Sequence, residues 1–564
     1  MKKLLHDSDF NLIKKIIKEI KLPKNKIVLL FVGTIISSVI TFVRPYIVSS
    51  LTDNGLLKKK MSIVIVWSMI LCLITVFEYG SEWLQIKIFV QIKNQFVENM
   101  YQKALDKIVR APYKFSQNRT SAELLSTVSN DINRVSLLVS RSTLMIIEFL
   151  LQIIGGALGI IILNWKFILI LLPILVIKQN VVNYLAKKKT GLTEKYIKKV
   201  QRFESWFGNQ ISGIIEIKLW NLYCKKKREF LEYYRSIPKI NEKLEMCDGI
   251  ENMLGTATNV SIEILIYLIC GYWVCKSEMS IGNLLAFVSY AMYVSGPLEV
   301  FSNMPYIWAQ IKPSAKRFVE LLEWPEEELE SDIHMSHQQY DLELKKVCFQ
   351  YDESHIVLKD VDLYIPEGSR IAIIGDNGSG KTTLINLLLG IMLPDKGEIC
   401  MGDKSILEIG LNEWRNQFAV VGQKPYLFQG TVKDNIDLYN EKNNEDIEKL
   451  ANQLGIELNI EHHRKGYSYI VQDDGTNLSG GEKQKIAFLR AFIKKSNIII
   501  LDEMFSNCDE ESRRKIRNIV FEPELQKTVI LISHYKEDIS EVDTVYELKN
   551  GGLLKNKLFE KNSI

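Results

Sequence analysis

The chain has 564 residues, 47% of them hydrophobic and 24% charged, and its 71 Lys and Arg against 67 Asp and Glu leave a net charge of +4. That length exceeds one ordinary domain, and so weak a positive balance excludes nucleic-acid binding driven by overall charge. Its eight cysteines form no C-x-x-C pair and no His/Cys spacing that would hold zinc, and they are expected to act as ordinary small hydrophobes.

At the start of the chain Phe10, Ile13, Ile16, Ile17 and Ile20 recur at helical spacing, with Lys14, Lys15, Lys18 and Lys21 on the opposite face. This predicts an amphipathic helix over residues 1–26, lying on the inner membrane surface and stopped by Pro23. No cleavage site follows it, so the segment is expected to be kept. Apolar runs then fall at 27–50, 62–90, 137–163, 166–186, 251–276 and 281–305. Each is near the ~20 residues that cross a bilayer as a helix, which predicts six spans within residues 27–320.

Two connections are long and rich in Lys and Arg, Lys93–Arg134 and Lys187–Lys243, and are placed in the cytoplasm together with the basic start of the chain. Lys58-Lys59-Lys60, in a short outer loop, runs against that rule but is outweighed. Gln91–Leu105 and Lys195–Phe230 keep helical periodicity, so the membrane helices are expected to continue far beyond the bilayer.

Charges inside spans cost roughly 2.5–3.5 kcal/mol each at mid-bilayer on insertion scales. Glu78 and Glu82, Glu148 and Gln152, and Asn259 and Glu263 are each four residues apart, so each pair lies on one helix face that should turn inward. Glu299 adds another acid, while Arg44, Lys87 and Arg141 supply opposite charge. Glu78, Glu148, Glu263 and Glu299 are therefore candidates for an acidic substrate cavity, and internal ion pairing is the alternative.

An acidic linker over residues 321–340, with Glu326-Glu327-Glu328, precedes a soluble half over 341–564 in which short apolar strands alternate with helices. There the strand Arg370–Ile374 runs into Gly375-Asp376-Asn377-Gly378-Ser379-Gly380-Lys381-Thr382, with a helix starting near Thr383. This is G-x-x-x-x-G-K-[ST] in its strand–loop–helix context, a phosphate-binding loop. Its glycines let backbone N–H groups curl around phosphate at a helix N-terminus. Lys381 is placed to reach the outer phosphates and Thr382 to offer its hydroxyl to Mg²⁺. The apolar strand Ile498–Leu501 delivers Asp502 to the same site for Mg²⁺, and Glu503 one step on is placed to polarise an attacking water. The expected fold class is thus a membrane α-helical bundle, six transmembrane helices with long cytoplasmic extensions, plus a P-loop α/β ATPase domain.

Leu478-Ser479-Gly480-Gly481-Glu482 resembles the signature that defines ABC ATPases. Other marks follow in family order: Tyr351 resembles the aromatic that stacks on adenine, Gln423 the glutamine that senses Mg²⁺ and the membrane domain, Asp509 the acid of the dimer-contact loop, and His534 the histidine at the γ-phosphate. Phe428–Ile436 is similar to the exporter segment after the glutamine loop and Asp473-Asp474-Gly475 to the exporter loop just before the signature, and Phe115–Asp131 and Gly213–Trp220 resemble the two coupling segments. Departures include Met504 after Glu503, Ser506-Asn507-Cys508-Asp509, and Tyr535 after the histidine; none removes a catalytic group.

The resemblance implies a bacterial half-size ABC exporter in the cytoplasmic membrane with its ATPase domain in the cytoplasm. ATP and Mg²⁺ would be bound by residues 375–383 with Tyr351, Gln423 and Asp502, and Lys381, Glu503 and His534 would act in hydrolysis. One chain carries one phosphate loop and one signature, so the implied partner is a second copy or a related half-transporter. Fewer than thirty residues before the first span leave no room for a leader-peptide protease. The acids favour a peptide or cationic amphipathic substrate. A lipid or glycolipid flippase is the alternative, and a nucleotide-gated sensor or channel that transports nothing is a third reading.

Overall fold

The computed structural model describes residues 11–12, 14–16, 18, 23–117, 124–125, 127–139, 141–330, 339–351, 356–454, 456, 466–503, 510–522, 526–533, 539 and 541–556. It divides into a helical unit, Met1–Val109 with Arg119–Trp324, and an α/β unit, Arg110–Asn118 with Pro325–Ile564. The boundary differs from a simple split near residue 320. The stretch Arg110–Asn118, read in sequence as part of a membrane-domain loop, belongs to the second unit, where the Glu327 N–H donates to Arg110 O at 2.8 Å.

The helical unit contains α1 (Lys24–Ser50), α2 (Met61–Arg110), α3 (Arg141–Asn164), α4 (Lys166–Ser212), α5 (Tyr223–Tyr234), α6 (Ser236–Cys275), α7 (Ile281–Ser295) and α8 (Pro297–Leu322). Among the described residues, five helical stretches are long and apolar enough to cross a membrane. At 50 residues α2 is about 75 Å long at 1.5 Å per residue, against a hydrocarbon core of about 30 Å. The expected extensions beyond the bilayer are therefore present.

The sixth apolar run differs: it forms the 15-residue α7, continued by α8. Gly296 keeps helical angles (φ −61°, ψ −51°) and its N–H reaches Met292 O at 2.9 Å. Pro297 has no N–H to offer, so the hydrogen-bond ladder breaks there while the chain keeps its course.

Small residues and a polar clasp hold these helices. An added Cβ at Gly159 would lie 2.6 Å from the Tyr290 ring, so α3 and α7 meet at a distance only glycine permits. Tyr290 also donates its hydroxyl to Phe42 O of α1 at 2.9 Å. Gly159→Leu is expected to cost about 1–3 kcal/mol by overpacking; a melting temperature in detergent equal to the parent's would contradict this contact. Lys178, buried on α4, donates to Asn259 Oδ1 of α6 (3.1 Å) and to Ser295 Oγ and O of α7 (3.0 and 3.2 Å). Past the bilayer, Phe203, Trp206, Phe230, Tyr233 and Tyr234 pack across α4 and α5, with Trp206 and Tyr233 stacked at 5.3 Å. They brace the short helix Ile214–Leu219 that joins the two, and Leu219 and Trp220 there are exposed.

Of the N-terminal helix, the described residues show Ile16 fully buried and Lys15 paired with Glu323. Part of the face read as membrane-facing is thus covered by protein.

The α/β unit has two main sheets. β1 (Leu342–Gln350), β2 (Ile356–Ile365), β4 (Lys396–Met401) and β5 (Lys404–Ser405) form an antiparallel sheet ordered β2-β1-β4-β5. The larger sheet is ordered β12-β11-β3-β10-β9-β6, from β3 (Arg370–Ile374), β6 (Phe418–Val421), β9 (Ile498–Asp502), β10 (Thr528–Ile532), β11 (Thr544–Lys549) and β12 (Gly552–Lys555). All its neighbours pair in parallel except β12, while β7 (Gly430–Thr431) and β8 (Ile470–Val471) form a separate antiparallel pair. Ile371, Ile373, Ile498, Ile500, Ile530 and Ile532 enter one core, and Ala372, Ile499, Leu501, Val529 and Leu531 enter the other. Burial on both faces is why these strands read as unbroken apolar runs.

Candidate nucleotide site

The parallel strands deliver the predicted residues to one edge of the large sheet. β10 lies between β3 and β9, with Ile532 in register with both Ile373 and Asp502. Adjacent strands are about 4.8 Å apart, so the loop after β3 and the carboxylate ending β9 start about 10 Å from each other. Gln423 follows β6, the next strand, by two residues. Ligands of open α/β sheets bind at this carboxyl edge.

The loop after β3 is shaped by close approaches. Gly375 has φ +154° and a Cβ there would meet Leu548 O at 2.5 Å; Gly380 has φ +107° and would meet Val357 Cγ1 at 2.9 Å. Gly380 then caps the helix α9 (Lys381–Leu388) without a side chain, and the first helical bond runs from Leu384 N–H to Gly380 O. The N–H groups of Lys381, Thr382 and Thr383 therefore point out of the helix start, where an anion is favoured. Lys381 is 9% exposed and donates to Gly375 O (2.6 Å) and Asp376 O (3.0 Å). Ser379 Oγ is buried without a hydrogen-bond partner, a polar atom that phosphate would satisfy.

Burial pushes the Asp502 carboxyl above the usual range, the neighbouring Glu503 charge adds to this, and Lys381 opposes it. A cation beside Asp502 would relieve both burial and repulsion. Glu503 adopts φ +46°, a left-handed conformation that costs a non-glycine residue about 1–3 kcal/mol. Its N–H is held by Ile532 O at 3.0 Å, and its Oε2 accepts a 2.5 Å hydrogen bond from Gln423 Nε2. The strained backbone and the amide together aim the carboxylate. Thr382, Gln423 and Asp502 supply oxygen donors, the set Mg²⁺ takes alongside nucleotide phosphates.

Tyr351 directly follows β1, with its hydroxyl 3.1 Å from Thr383 Oγ1, which sets the ring beside the first turn of α9. Phe349 packs edge-on against it at 5.1 Å. After α10 (Leu411–Asn416) and α11 (Asn444–Gln453), the signature opens α12 (Gly480–Ile493), where Ser479 caps the helix: its N–H reaches Glu482 Oε2 at 2.7 Å, and its Oγ accepts from the Glu482 N–H at 3.3 Å. Glu482 thus shapes the helix start, Leu478 packs toward the core, and Ser479 and Gly480 are exposed, with Gly481 half-buried behind them. Asp509 and His534 lie outside the described residues, although β10, which leads to His534, ends between β3 and β9.

Residues 27–298 match the family model for the ABC transporter transmembrane region, and residues 358–506 match the family model for the ABC transporter. The chain belongs to the ABC transporter family. A multidrug resistance ABC transporter ATP-binding and permease protein of Lactococcus lactis is 25% identical over 81% of this chain and 78% of its own. An ATP-dependent lipid A-core flippase of Alcanivorax borkumensis is 25% identical over 86% and 83%. The solved structure of a bacterial Atm1-family ABC exporter with ATP bound superposes with a TM-score of 0.79 at 18% identity, covering 94% of both chains. This ABC exporter is a membrane protein that binds ATP and couples its hydrolysis to transport.

Two site-shaping residues carried no sequence signal of their own. Asn435, fully buried, and Arg490 on the signature helix bond to each other and to the segment after Gln423. In the spans, Arg44 pairs with Glu78 at 2.6 Å, so this acid's charge is answered within the bundle. Glu82 and Glu148 are each engaged by a neighbour, and Tyr267 lies beside Glu263. The side chains of Arg141 and Glu299 lie outside the described residues. A cavity of about 220 Å³ between α1, α3 and α7 is lined by Phe42, Tyr46, Asn283 and Tyr290 among others, and not by the described acids Glu78, Glu148 and Glu263.

Proposed function

We propose that the transporter is a homodimer of the cytoplasmic membrane that exports an amphipathic substrate by alternating access. The observation that carries this reading is the sheet edge where Lys381, Asp502, Glu503 and Gln423 converge. Each nucleotide would lie between the phosphate loop of one copy and Ser479, Gly480 and Gly481 of the other. Tyr351 would stack on adenine, residues 375–383 would hold the phosphates, and Thr382, Gln423 and Asp502 would hold Mg²⁺, which would supply charge neutralisation at the phosphates. Glu503 takes a proton from the attacking water, His534 contacts the γ-phosphate, and Asp509 joins the two ATPase domains. ATP binding closes the domains and the coupling segments turn the spans outward.

A peptide or cationic compound is the favoured cargo, and Glu263 and Glu299 are the acids that would attract it, since Glu78 is matched by Arg44 and Glu148 is engaged by a neighbour. The cavity walled by aromatic rings and the Asn283 amide suits a molecule with apolar and polar parts. A lipid flippase is the second reading, supported by the likeness to the lipid A-core flippase. ATPase activity in lipid vesicles, titrated with cationic peptides and in parallel with neutral lipids, separates them. Saturable stimulation by peptides alone is expected; stimulation by lipids alone would transfer the assignment to a flippase.

A further inference from the structure

The α/β unit contains a buried clasp that the hydrolytic reading does not use. Arg490 lies on α12, eleven residues after Ser479, or about 16 Å along the helix. Its guanidinium makes three bonds to the segment downstream of Gln423: Nε to Asn435 O (2.7 Å), Nη1 to Tyr426 O (3.0 Å) and Nη2 to Asn435 Oδ1 (3.2 Å). Asn435 in turn folds that segment on itself, donating to Phe428 O (2.8 Å) and Thr431 O (3.1 Å) and accepting from the Phe428 N–H (2.8 Å). Thr431 and Asp434 form a capping box that starts the short helix Val432–Ile436 carrying Asn435. Burial pushes the Arg490 guanidinium below its ordinary pKa, and the three acceptors it finds are neutral.

Such a fork is geometrically specific. Five N–H donors in one plane meet two carbonyls and one amide oxygen, so a lysine could reproduce only part of it. Gln423, three residues before Tyr426, holds the Glu503 carboxylate. A displacement of the Gln423 loop is therefore passed through one side chain to the helix whose first turn is the signature.

We infer that Arg490 is a positioning residue that links the Gln423–Glu503 pair of one ATP site to the signature serving the other, and so makes the two sites cooperative. This rests on the dimeric reading above. The clasp residues stand apart from the phosphate loop, Asp502 and the signature turn, so their loss should alter coupling more than binding. Arg490→Lys keeps the charge and the stem and gives up the fork; Asp434→Asn loosens the capping box without touching α12.

The test is ATP-dependent phosphate release by the full transporter in lipid vesicles, with ATP binding measured on the same preparations and the dimer confirmed by light scattering. The wild type is expected to show a Hill coefficient above 1. Arg490→Lys should bring it to 1 and lower kcat about tenfold, with ATP affinity within twofold. Asp434→Asn should give an intermediate coefficient. A folded Arg490→Lys dimer as cooperative as the parent overturns the inference, as does a wild-type dimer with a Hill coefficient of 1. A monomeric wild type that hydrolyses ATP overturns the inference together with the dimeric reading. Should Arg490→Lys not fold, an Asp434→Asn dimer with unchanged cooperativity decides against the clasp.

Discussion

Glu503→Gln is expected to keep ATP binding within about twofold while lowering turnover roughly 10²–10⁴-fold, the contribution of a positioned general base. The substitution changes one oxygen to an amide nitrogen. It preserves side-chain length, the strained φ of +46° and the backbone bond to Ile532 O, so the loop that presents the residue should stay in place. What it removes is the negative charge that Gln423 Nε2 holds at 2.5 Å and that would accept the proton of the attacking water. It also removes one of the two influences that raise the Asp502 carboxyl, leaving burial as the remaining one. Asp502 should consequently be ionised over a wider pH range in the variant, and Mg²⁺-dependent ATP binding should extend to lower pH than in the parent. Phosphate release and nucleotide binding, followed across pH in vesicles, check both parts. Turnover equal to the parent's would show that another group activates the water.

How much of this site was legible in the sequence depends on what each residue needs from its neighbours. The phosphate loop and the Asp502–Glu503 pair are local: a buried strand and the few residues after it specify both the chemistry and the place. The capping role of Glu482 is also local, three residues from Ser479. The bond between Arg490 and Asn435 was not legible: Asn435 falls in the segment Phe428–Ile436 that resembles an exporter one, but neither it nor an arginine on an amphipathic helix has a spacing that points to the other. Only the fold brings them together across 55 residues.

The membrane half shows the same divide. Span positions follow from apolar runs, and the break in the hydrogen-bond ladder of the sixth follows from Pro297. The pairing of Arg44 with Glu78 does not, since it joins residues 34 positions apart on different helices. Lys178 was overlooked because a lone cation inside an apolar run has no periodic partner. Asn259 and Ser295, which accept its hydrogen bonds, lie 81 and 117 residues further along the chain.

The largest effect on the assembly is expected from two variants that are each inactive alone. Lys381→Met keeps the aliphatic stem of a buried side chain and drops the ammonium, so the loop should fold but hold the outer phosphates poorly. Gly480→Asp places a carboxylate at the exposed first turn of α12. A helix N-terminus tolerates that charge in the isolated domain, but it would face nucleotide phosphates in a sandwich. Each homodimer should lose nearly all ATPase activity, since every site carries one defect. A mixed dimer is different: one sandwich combines both defects, and the other combines an intact phosphate loop with an intact signature. Co-expression at equal levels should restore activity to between a few per cent and about a quarter of wild type, the upper limit applying to independent sites in a statistical mixture of two-fold dimers. A site completed within one chain predicts no restoration at any ratio. The clasp at Arg490 adds a further expectation: the rescued activity should fall below that upper limit, because the single intact site works beside a partner that cannot fire, and Arg490→Lys placed in both chains should bring the ratio of mixed-dimer to parent activity closer to it.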